Sequence, residues 1–188
     1  MIRNFFYYME ATIMTKRRIA VLCLCFVMLP VITYAQQNSL AIGYGFGAFN
    51  DKTSPRLQSD DYYRYIHIVY GYERQMFSPH IQLLLEPYID YVMKPHDGLD
   101  VGLGVSLKFY PFNEKRKGLF FVAGTGAAYT TIGFKEQGTH APFILQGGFG
   151  YQWDRIFIEN RFRHYSNAGL ASPNHSINSN IFLIGTRF

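Results

Sequence analysis

The fold is decided by the stretch Leu99-Asp100-Val101-Gly102-Leu103-Gly104-Val105-Ser106-Leu107-Lys108-Phe109, in which apolar residues alternate with polar or small ones. This period-two pattern is typical of a β-strand with one apolar face, because successive side chains point to opposite sides of a sheet. Residues 81–92 repeat it, with Leu83 and Leu85 on one face and Glu86 and Asp90 on the other. Beyond residue 35, no long stretch has the i, i+3, i+4, i+7 spacing of an amphipathic helix. The alternation therefore predicts an all-β fold.

The same alternation marks eight runs along the chain, with turn-rich segments between them. Their approximate bounds are 39–49, 62–74, 81–92, 99–110, 119–132, 140–151, 154–165 and 177–188. Strands of about 10–13 residues can cross a membrane when tilted, and eight of them suit a small outer-membrane barrel. We therefore predict an eight-stranded antiparallel transmembrane β-barrel of the outer-membrane type.

A soluble β-protein is the alternative, either a lipocalin-like barrel or a secreted sandwich. Such a protein would show a polar face to water and would carry more Lys and Glu. Charged residues make up only 16% of this chain, against about 25% in an average soluble domain. Aromatic residues make up 18%, which suits a wall that meets lipid and the membrane interfaces. The composition favours the membrane barrel.

Residues 1–35 are predicted to be a secretory signal peptide, which leaves residues 36–188 as the barrel domain. The basic start is Lys16-Arg17-Arg18, an apolar run extends from Ile19 to Ile32, and Thr33-Tyr34-Ala35 ends on a small residue, as a cleavage site requires. The apolar run is shorter than the roughly 20 residues of a membrane-spanning helix. Met14 is a plausible start of translation.

Removal of the signal peptide changes the charge and the cysteine content. The whole chain has a formal net charge of +5, whereas residues 36–188 keep 14 basic and 12 acidic residues, a net charge of +2. Both cysteines, Cys23 and Cys25, lie in the removed segment. A nucleic-acid-binding basic surface and a disulfide framework are therefore not expected.

The lengths of the connections predict which end of the barrel faces outward. Outer-membrane barrels have both termini and short turns in the periplasm, and longer loops outside the cell. The short link Gln152-Trp153-Asp154 is then periplasmic, and the segments Asn50–Asp61 and Asn167–His175 are extracellular loops. The last run ends in Phe188, which resembles the C-terminal signal of outer-membrane proteins.

The run 154–165 predicts which side chains enter the barrel. Arg155, Glu159, Arg161 and Arg163 share one face, and charged side chains facing lipid cost several kcal/mol each. These side chains are therefore expected in the lumen, where Glu86 or Asp90 from the run 81–92 can pair with them. We interpret this network as structural.

The opposite parity places three polar residues on the outer wall. His164 and Ser166 are two residues apart on one face, so their Cβ atoms are about 6–7 Å apart, close enough for the imidazole to reach the hydroxyl. Asn178 shares the outward parity of Phe182 and begins the next run. One interpretation is a reactive site; the other is an interfacial His and Ser that only contact lipid headgroups. The pair alone leaves both open.

A longer motif surrounds this pair. The stretch Phe162-Arg163-His164-Tyr165-Ser166-Asn167-Ala168-Gly169-Leu170, followed by Pro173-Asn174, resembles the C-terminal motif of the lipid A 3-O-deacylase family, the PagL-type acyloxyacyl hydrolases. The stretch Pro142–Gly150 is also similar to that family. The specific part of the resemblance covers residues 142–178, and the length and strand number agree over the whole mature chain.

The resemblance implies an eight-stranded barrel in the outer membrane of a Gram-negative bacterium, with a serine-hydrolase site that removes an ester-linked acyl chain from lipid A. It implies that Ser166 is the nucleophile and His164 the general base. Asn174 and the backbone N–H near Gly169 would bind the oxyanion, and Asn167 and Phe162 would contact substrate. The implied partners are lipopolysaccharide and outer-membrane lipids. No cofactor or metal is expected, because the six histidines are scattered, and the family can form homodimers.

The chain departs from the family pattern at the third catalytic position, where Asn178 replaces a glutamate. A carboxylate there orients the imidazole and stabilises the imidazolium, and its replacement by an amide can cost about 10⁴-fold in a serine protease. Either Asn178 suffices, or activity is weak, or it has been lost. The second hypothesis is accordingly a non-enzymatic small barrel: an adhesin, a lipid-binding protein or a structural protein.

Overall fold

The computed structural model describes residues 37–49, 63–112, 115–134 and 136–188. The predicted signal peptide, Met14 and the loop Asn50–Asp61 lie outside the described residues. Among those that are described, no helix is long and apolar enough to cross a membrane.

Eight antiparallel strands form a closed barrel in which each strand pairs with its neighbours in sequence and β8 pairs with β1. The strands are β1 (Gln37–Gly47), β2 (Arg64–Met76), β3 (Ser78–Lys94), β4 (Gly98–Phe109), β5 (Gly118–Thr130), β6 (Phe143–Gln152), β7 (Ile156–Ser166) and β8 (Ile177–Arg187). The predicted fold class is confirmed, and the strand ends differ from the predicted ones by at most three residues.

One predicted turn is wrong. The turn-rich segment between the runs 62–74 and 81–92 predicts a turn at Ser78 and Pro79, but both residues belong to β3. The chain reverses at Phe77, which has a positive φ of 49°, and the pairing is irregular just before it. Proline is compatible with the start of a strand because its fixed φ lies in the extended region and its missing N–H is not needed there.

Charged side chains fill the lumen in matched pairs. Arg161 lies 2.8 Å from Glu86 and 2.5 Å from Glu159, and Arg163 lies 2.9 Å from Asp90. All five residues are buried, and buried charges are tolerated only when they are paired and hydrogen-bonded. The predicted pairing with Glu86 or Asp90 is confirmed for Arg161 and Arg163, whereas Glu159 pairs with Arg161 and with neither of those carboxylates.

The predicted lumen face is wrong at Arg155. β7 begins at Ile156, one residue later, and Arg155 is exposed rather than inside the barrel. Its carbonyl accepts a hydrogen bond from the Arg187 N–H at 2.7 Å. The alternation that fixes side-chain direction applies only within the paired strand, so it does not extend to this position.

The outer wall is apolar along the strands. On β4, Leu99, Val101, Leu103, Val105, Leu107 and Phe109 are all between 39% and 48% exposed. Their neighbours point inward, so the alternation that predicted β4 is the alternation between lipid and lumen.

The connections differ between the two ends of the barrel. One end has the turns between β2 and β3, β4 and β5, and β6 and β7, together with both barrel termini, which are joined by hydrogen bonds between Asn38 and Phe188. The other end has the longer connections 131–142 and 167–176. The general rule for outer-membrane barrels places that end outside the cell. His164, Ser166 and Asn178 lie there.

Candidate active site

Strand pairing brings His164 and Asn178 together. They are directly opposite in the β7–β8 register, and the His164 Nδ1 lies 2.7 Å from the Asn178 Oδ1. An amide oxygen can only accept a hydrogen bond, so Nδ1 carries the proton and Nε2 keeps its lone pair. The histidine is thus held in the tautomer that a general base needs.

A second contact fixes the orientation of the Asn178 amide. Its Nδ2 donates to the backbone carbonyl of Phe49 at 3.0 Å, just after β1. The two ends of an amide are distinguished by their hydrogen-bond partners. Because the nitrogen is engaged with Phe49, the oxygen faces His164.

Ser166 is the last residue of β7 and lies among donors and acceptors of the following loop. Its Oγ donates to the Asn174 Oδ1 at 3.3 Å and accepts from the Ala168 N–H at 3.2 Å. Among the described residues, no hydrogen bond joins Ser166 to His164. The structure brings His164 to Asn178 and Ser166 to Asn174, while His164 and Ser166 share one face of β7.

A tight turn follows the serine. The Leu170 N–H donates to the Asn167 carbonyl at 3.0 Å, and the two residues between them, Ala168 and Gly169, have φ values of 54° and 79°. Positive φ at both central positions is the pattern of a type I′ turn. It is uncommon for alanine, so the turn that places the Ala168 N–H against Ser166 is held by its surroundings.

Gly169 and Asn167, two predicted site residues, form hydrogen bonds within this loop. The Gly169 N–H donates to the Asn167 Oδ1 at 2.8 Å, so it is not a free oxyanion donor; the Ala168 N–H is the one that meets Ser166. Asn167 is only 1% exposed, which leaves little of its side chain for substrate. Its Nδ2 donates to the carbonyls of Ala171 at 3.0 Å and Pro173 at 3.1 Å.

Asn174 is positioned by this network. Its Oδ1 accepts from both Ser166 Oγ and the Asn167 N–H, the latter at 3.1 Å. With the oxygen engaged by two donors, the Nδ2 group is the end left to meet an oxyanion. Asn174 is exposed, so a substrate can reach it.

The loop between β5 and β6 also contacts the site, which the sequence did not predict. Gln137 is fully buried, and its Nε2 donates to the carbonyls of His175 at 2.5 Å and Tyr165 at 3.3 Å. Its own carbonyl accepts a hydrogen bond from Asn167. The turn-rich segment between the runs 119–132 and 140–151 predicts only a turn, and nothing in the local sequence shows which loop it contacts.

Apolar side chains flank the polar groups on the outer wall. Phe162 lies on the same face of β7 as His164, and its ring centroid is 6.2 Å from that of Phe49. On β6, Leu145 is opposite His164 and Phe143 is opposite Ser166, and both are about half exposed. The reactive groups are therefore surrounded by a surface suited to acyl chains.

The described residues provide no metal site: they contain no group of three or more His, Cys, Asp or Glu side chains arranged to hold an ion. Among the described residues, no carboxylate forms a hydrogen bond with the His164 imidazole, whose partner is the neutral Asn178 amide.

Comparison with known proteins gives a family match and a fold match. The family model for lipid A 3-O-deacylase (PagL) matches residues 63–187. The crystal structure of the outer-membrane enzyme PagL is 18% identical, with a TM-score of 0.55, and the match covers 79% of this chain and 97% of that one. A search of curated proteins finds no match.

Two other solved barrels are similar in outline. The N-terminal barrel domain of Pseudomonas aeruginosa OprF is 14% identical, with a TM-score of 0.49, over 81% of this chain and 99% of that one. Ail from Yersinia pestis is 12% identical, with a TM-score of 0.48, over the same shares of the two chains. Similarity at this level carries no argument about function.

The family match covers β2 to β8 and includes His164, Ser166, Asn174 and Asn178. It confirms the resemblance found on residues 142–178, together with the outer-membrane location and ester-hydrolase class that the resemblance implies. The chain belongs to the lipid A 3-O-deacylase (PagL) family of outer-membrane barrels.

Proposed function

We propose that the protein removes an ester-linked acyl chain from lipid A with Ser166 as nucleophile, His164 as general base, Asn178 as the residue that orients the base, and Asn174 as an oxyanion donor. The hydrogen bond from His164 Nδ1 to Asn178 Oδ1, at 2.7 Å, carries the proposal. It leaves Nε2 free to accept the serine proton, on a lipid-facing wall where an acyl ester can arrive.

In the first half of the reaction, the Ser166 hydroxyl turns from Asn174 towards His164 and gives its proton to Nε2. Its Oγ attacks the acyl carbonyl carbon, and the carbonyl oxygen becomes an oxyanion. Collapse of this intermediate breaks the ester bond, and the imidazolium gives its proton to the departing sugar oxygen, which leaves as a hydroxyl. The acyl chain is then bound to Ser166 as an ester.

In the second half, a water molecule gives its proton to His164 and attacks the acyl-enzyme. The fatty acid leaves and Ser166 regains its proton. Catalytic hydrogen bonds are often longer in a free enzyme than in its substrate complex, so the hydroxyl need not face His164 before the ester binds.

The oxyanion is assigned to two donors. The Asn174 Nδ2 is the free end of an amide whose oxygen is engaged by Ser166 and Asn167. The Ala168 N–H already lies 3.2 Å from Ser166 Oγ. Removing one such donor typically costs about 10²–10³-fold in kcat. Gly169 contributes by its positive φ, and Asn167 by holding the loop.

Substrate approaches laterally in the membrane. Phe162, Phe143 and Leu145 lie beside the reactive groups on the outer wall and supply the surface for acyl chains. The homodimer implied by the family resemblance stays a prediction, which sedimentation in detergent would test.

Replacing Ser166 by alanine tests the proposal. The lipid A of cells that make the wild-type barrel should lose the mass of one acyl chain, whereas lipid A from cells that make Ser166→Ala should keep it. Ser176→Ala is the matched control, because Ser176 is exposed in the same loop and has no assigned role.

The outcome also separates an enzyme from the non-enzymatic barrel suggested by Asn178. Folding is checked by electrophoresis with and without heating, which distinguishes a closed barrel from an unfolded chain. Unchanged lipid A in cells with abundant, folded wild-type protein would reject the hydrolase for that substrate. Deacylation by folded Ser166→Ala would reject the assignment of the nucleophile.

A further inference from the structure

Two loops at the outer end of the barrel are joined by polar contacts and close packing. The loop after β7 contains Asn174, and the loop between β5 and β6 lies against it. The His175 N–H donates to the Glu136 carbonyl at 2.8 Å. Gly138, with a φ of 58°, lies so close to the carbonyl of Ser172 that an added Cβ would be 2.5 Å from its oxygen. The two backbones thus meet where only glycine fits.

Gln137 is the centre of this contact. Its side-chain nitrogen donates to Tyr165, the residue before Ser166, and to His175, the residue after Asn174. Its backbone carbonyl accepts from Asn167, whose own N–H donates to Asn174. One buried residue therefore contacts both ends of the segment that begins at the nucleophile and ends at the oxyanion donor.

We propose that Gln137 is a positioning residue for the reaction, which fixes the distance between Ser166 and Asn174 without touching substrate. The proposal rests on the function assigned above to those two residues. Small displacements of positioned groups have large effects on rate: a shift of about 1 Å can cost about 10²-fold. Loss of Gln137 should thus impair the chemical step while the acyl-binding wall stays intact.

The barrel contains a matched control at its other end. Gln152 is also fully buried, and its Nε2 also donates to two backbone carbonyls, those of Trp153 and Ile156, at 3.1 and 3.2 Å. Like the Oε1 of Gln137, its Oε1 has no hydrogen-bond partner among the described residues. It lies beside the β6–β7 turn, away from the reactive groups. Gln137→Ala and Gln152→Ala each remove two hydrogen bonds from a side-chain amide to backbone carbonyls, but only those of Gln137 reach the segment that contains Ser166 and Asn174.

The experiment measures kcat and KM of the refolded full barrel in detergent with lipid A as substrate. We expect Gln137→Ala to lower kcat about 10–100-fold with KM changed less than twofold, and Gln152→Ala to behave as wild type. Gln137→Glu keeps the size but turns an oxygen towards the carbonyls, so it should also lower kcat.

A double variant separates positioning from general stability. If Gln137 acts through Asn174, adding Gln137→Ala to Asn174→Ala should lower kcat no further, because residues that act as a unit are non-additive. A wild-type kcat for folded Gln137→Ala, or full additivity in the double variant, would overturn the proposal. So would failure of both Gln137 variants to form the barrel, since the residue would then support the fold rather than the loop.

Ser166→Ala is measured in the same series. If it keeps activity, the proposed nucleophile fails, and the inference about Gln137 falls with it. If it is inactive while Gln137→Ala is unaffected, only the positioning role fails.

Discussion

Asn178→Asp tests how much the neutral side chain at the third catalytic position lowers the reaction rate. In the transition state His164 becomes an imidazolium, and the substituted oxygen would carry a negative charge 2.7 Å from its Nδ1. Both side chains are partly exposed. An effective dielectric constant of about 40–80 makes the attraction about 1.5–3 kcal/mol.

The substitution also has a cost. An aspartate cannot donate to Phe49, so the 3.0 Å hydrogen bond, worth about 1 kcal/mol, is lost and an oxygen faces the carbonyl. Because that bond is lost equally from the ground state and the transition state, its loss lowers stability rather than kcat. The attraction of about 1.5–3 kcal/mol therefore acts in full on the transition state, and since about 1.4 kcal/mol is tenfold in rate, we expect kcat to rise about 10–150-fold. Asn178→Glu restores the family residue and should also raise kcat.

The assay is release of fatty acid from lipid A by the refolded barrel in detergent, with kcat determined for each variant. The same change is also made in His164→Ala, where no imidazolium can form and Asn178→Asp should have no effect. A lower kcat for folded Asn178→Asp would refute the reasoning, as would an equal rise in the His164→Ala background.

Two further predictions concern the outer loops and the lumen. Gly138→Ala should lower activity while the barrel still forms, because the added Cβ would be 2.5 Å from the Ser172 carbonyl oxygen. Measurement of kcat, together with electrophoresis with and without heating to check that the barrel forms, would show this. A wild-type kcat would contradict it. Arg161→Ala should destabilise the barrel by about 3–5 kcal/mol, since it leaves Glu86 buried without its partner; urea unfolding in detergent would measure it. Lys117→Ala removes an exposed ion pair and should change stability little, so equal effects of the two variants would refute the argument.

The fold was predictable from the sequence because one physical alternation determines it. Along β4, each residue faces either lipid or lumen, and the requirement repeats every second position. Arg161 and Arg163 could be assigned to the lumen because exposure to lipid would be too costly. Arg155 fell outside the rule because it lies one position before the strand.

The site was predictable only where it lies on strands. His164 and Asn178 follow from parity and from the register of β7 and β8. The loop residues carry no periodic signal: the burial of Asn167 and its contact with Gln137 depend on the meeting of two loops that are 30 residues apart. A family motif can name Asn174, but only the folded loop shows which end of its amide is free.

Because Ser166 lies on the outer wall of the barrel, the enzyme and its substrate meet within the plane of the membrane. The quantity that sets its rate is then the mole fraction of lipid A among the surrounding amphiphiles, rather than a bulk concentration. Diluting lipid A with inert detergent at constant bulk concentration should slow the reaction, as it would not for an enzyme with a water-filled cleft. A Michaelis constant for this site is therefore properly expressed per unit of surface.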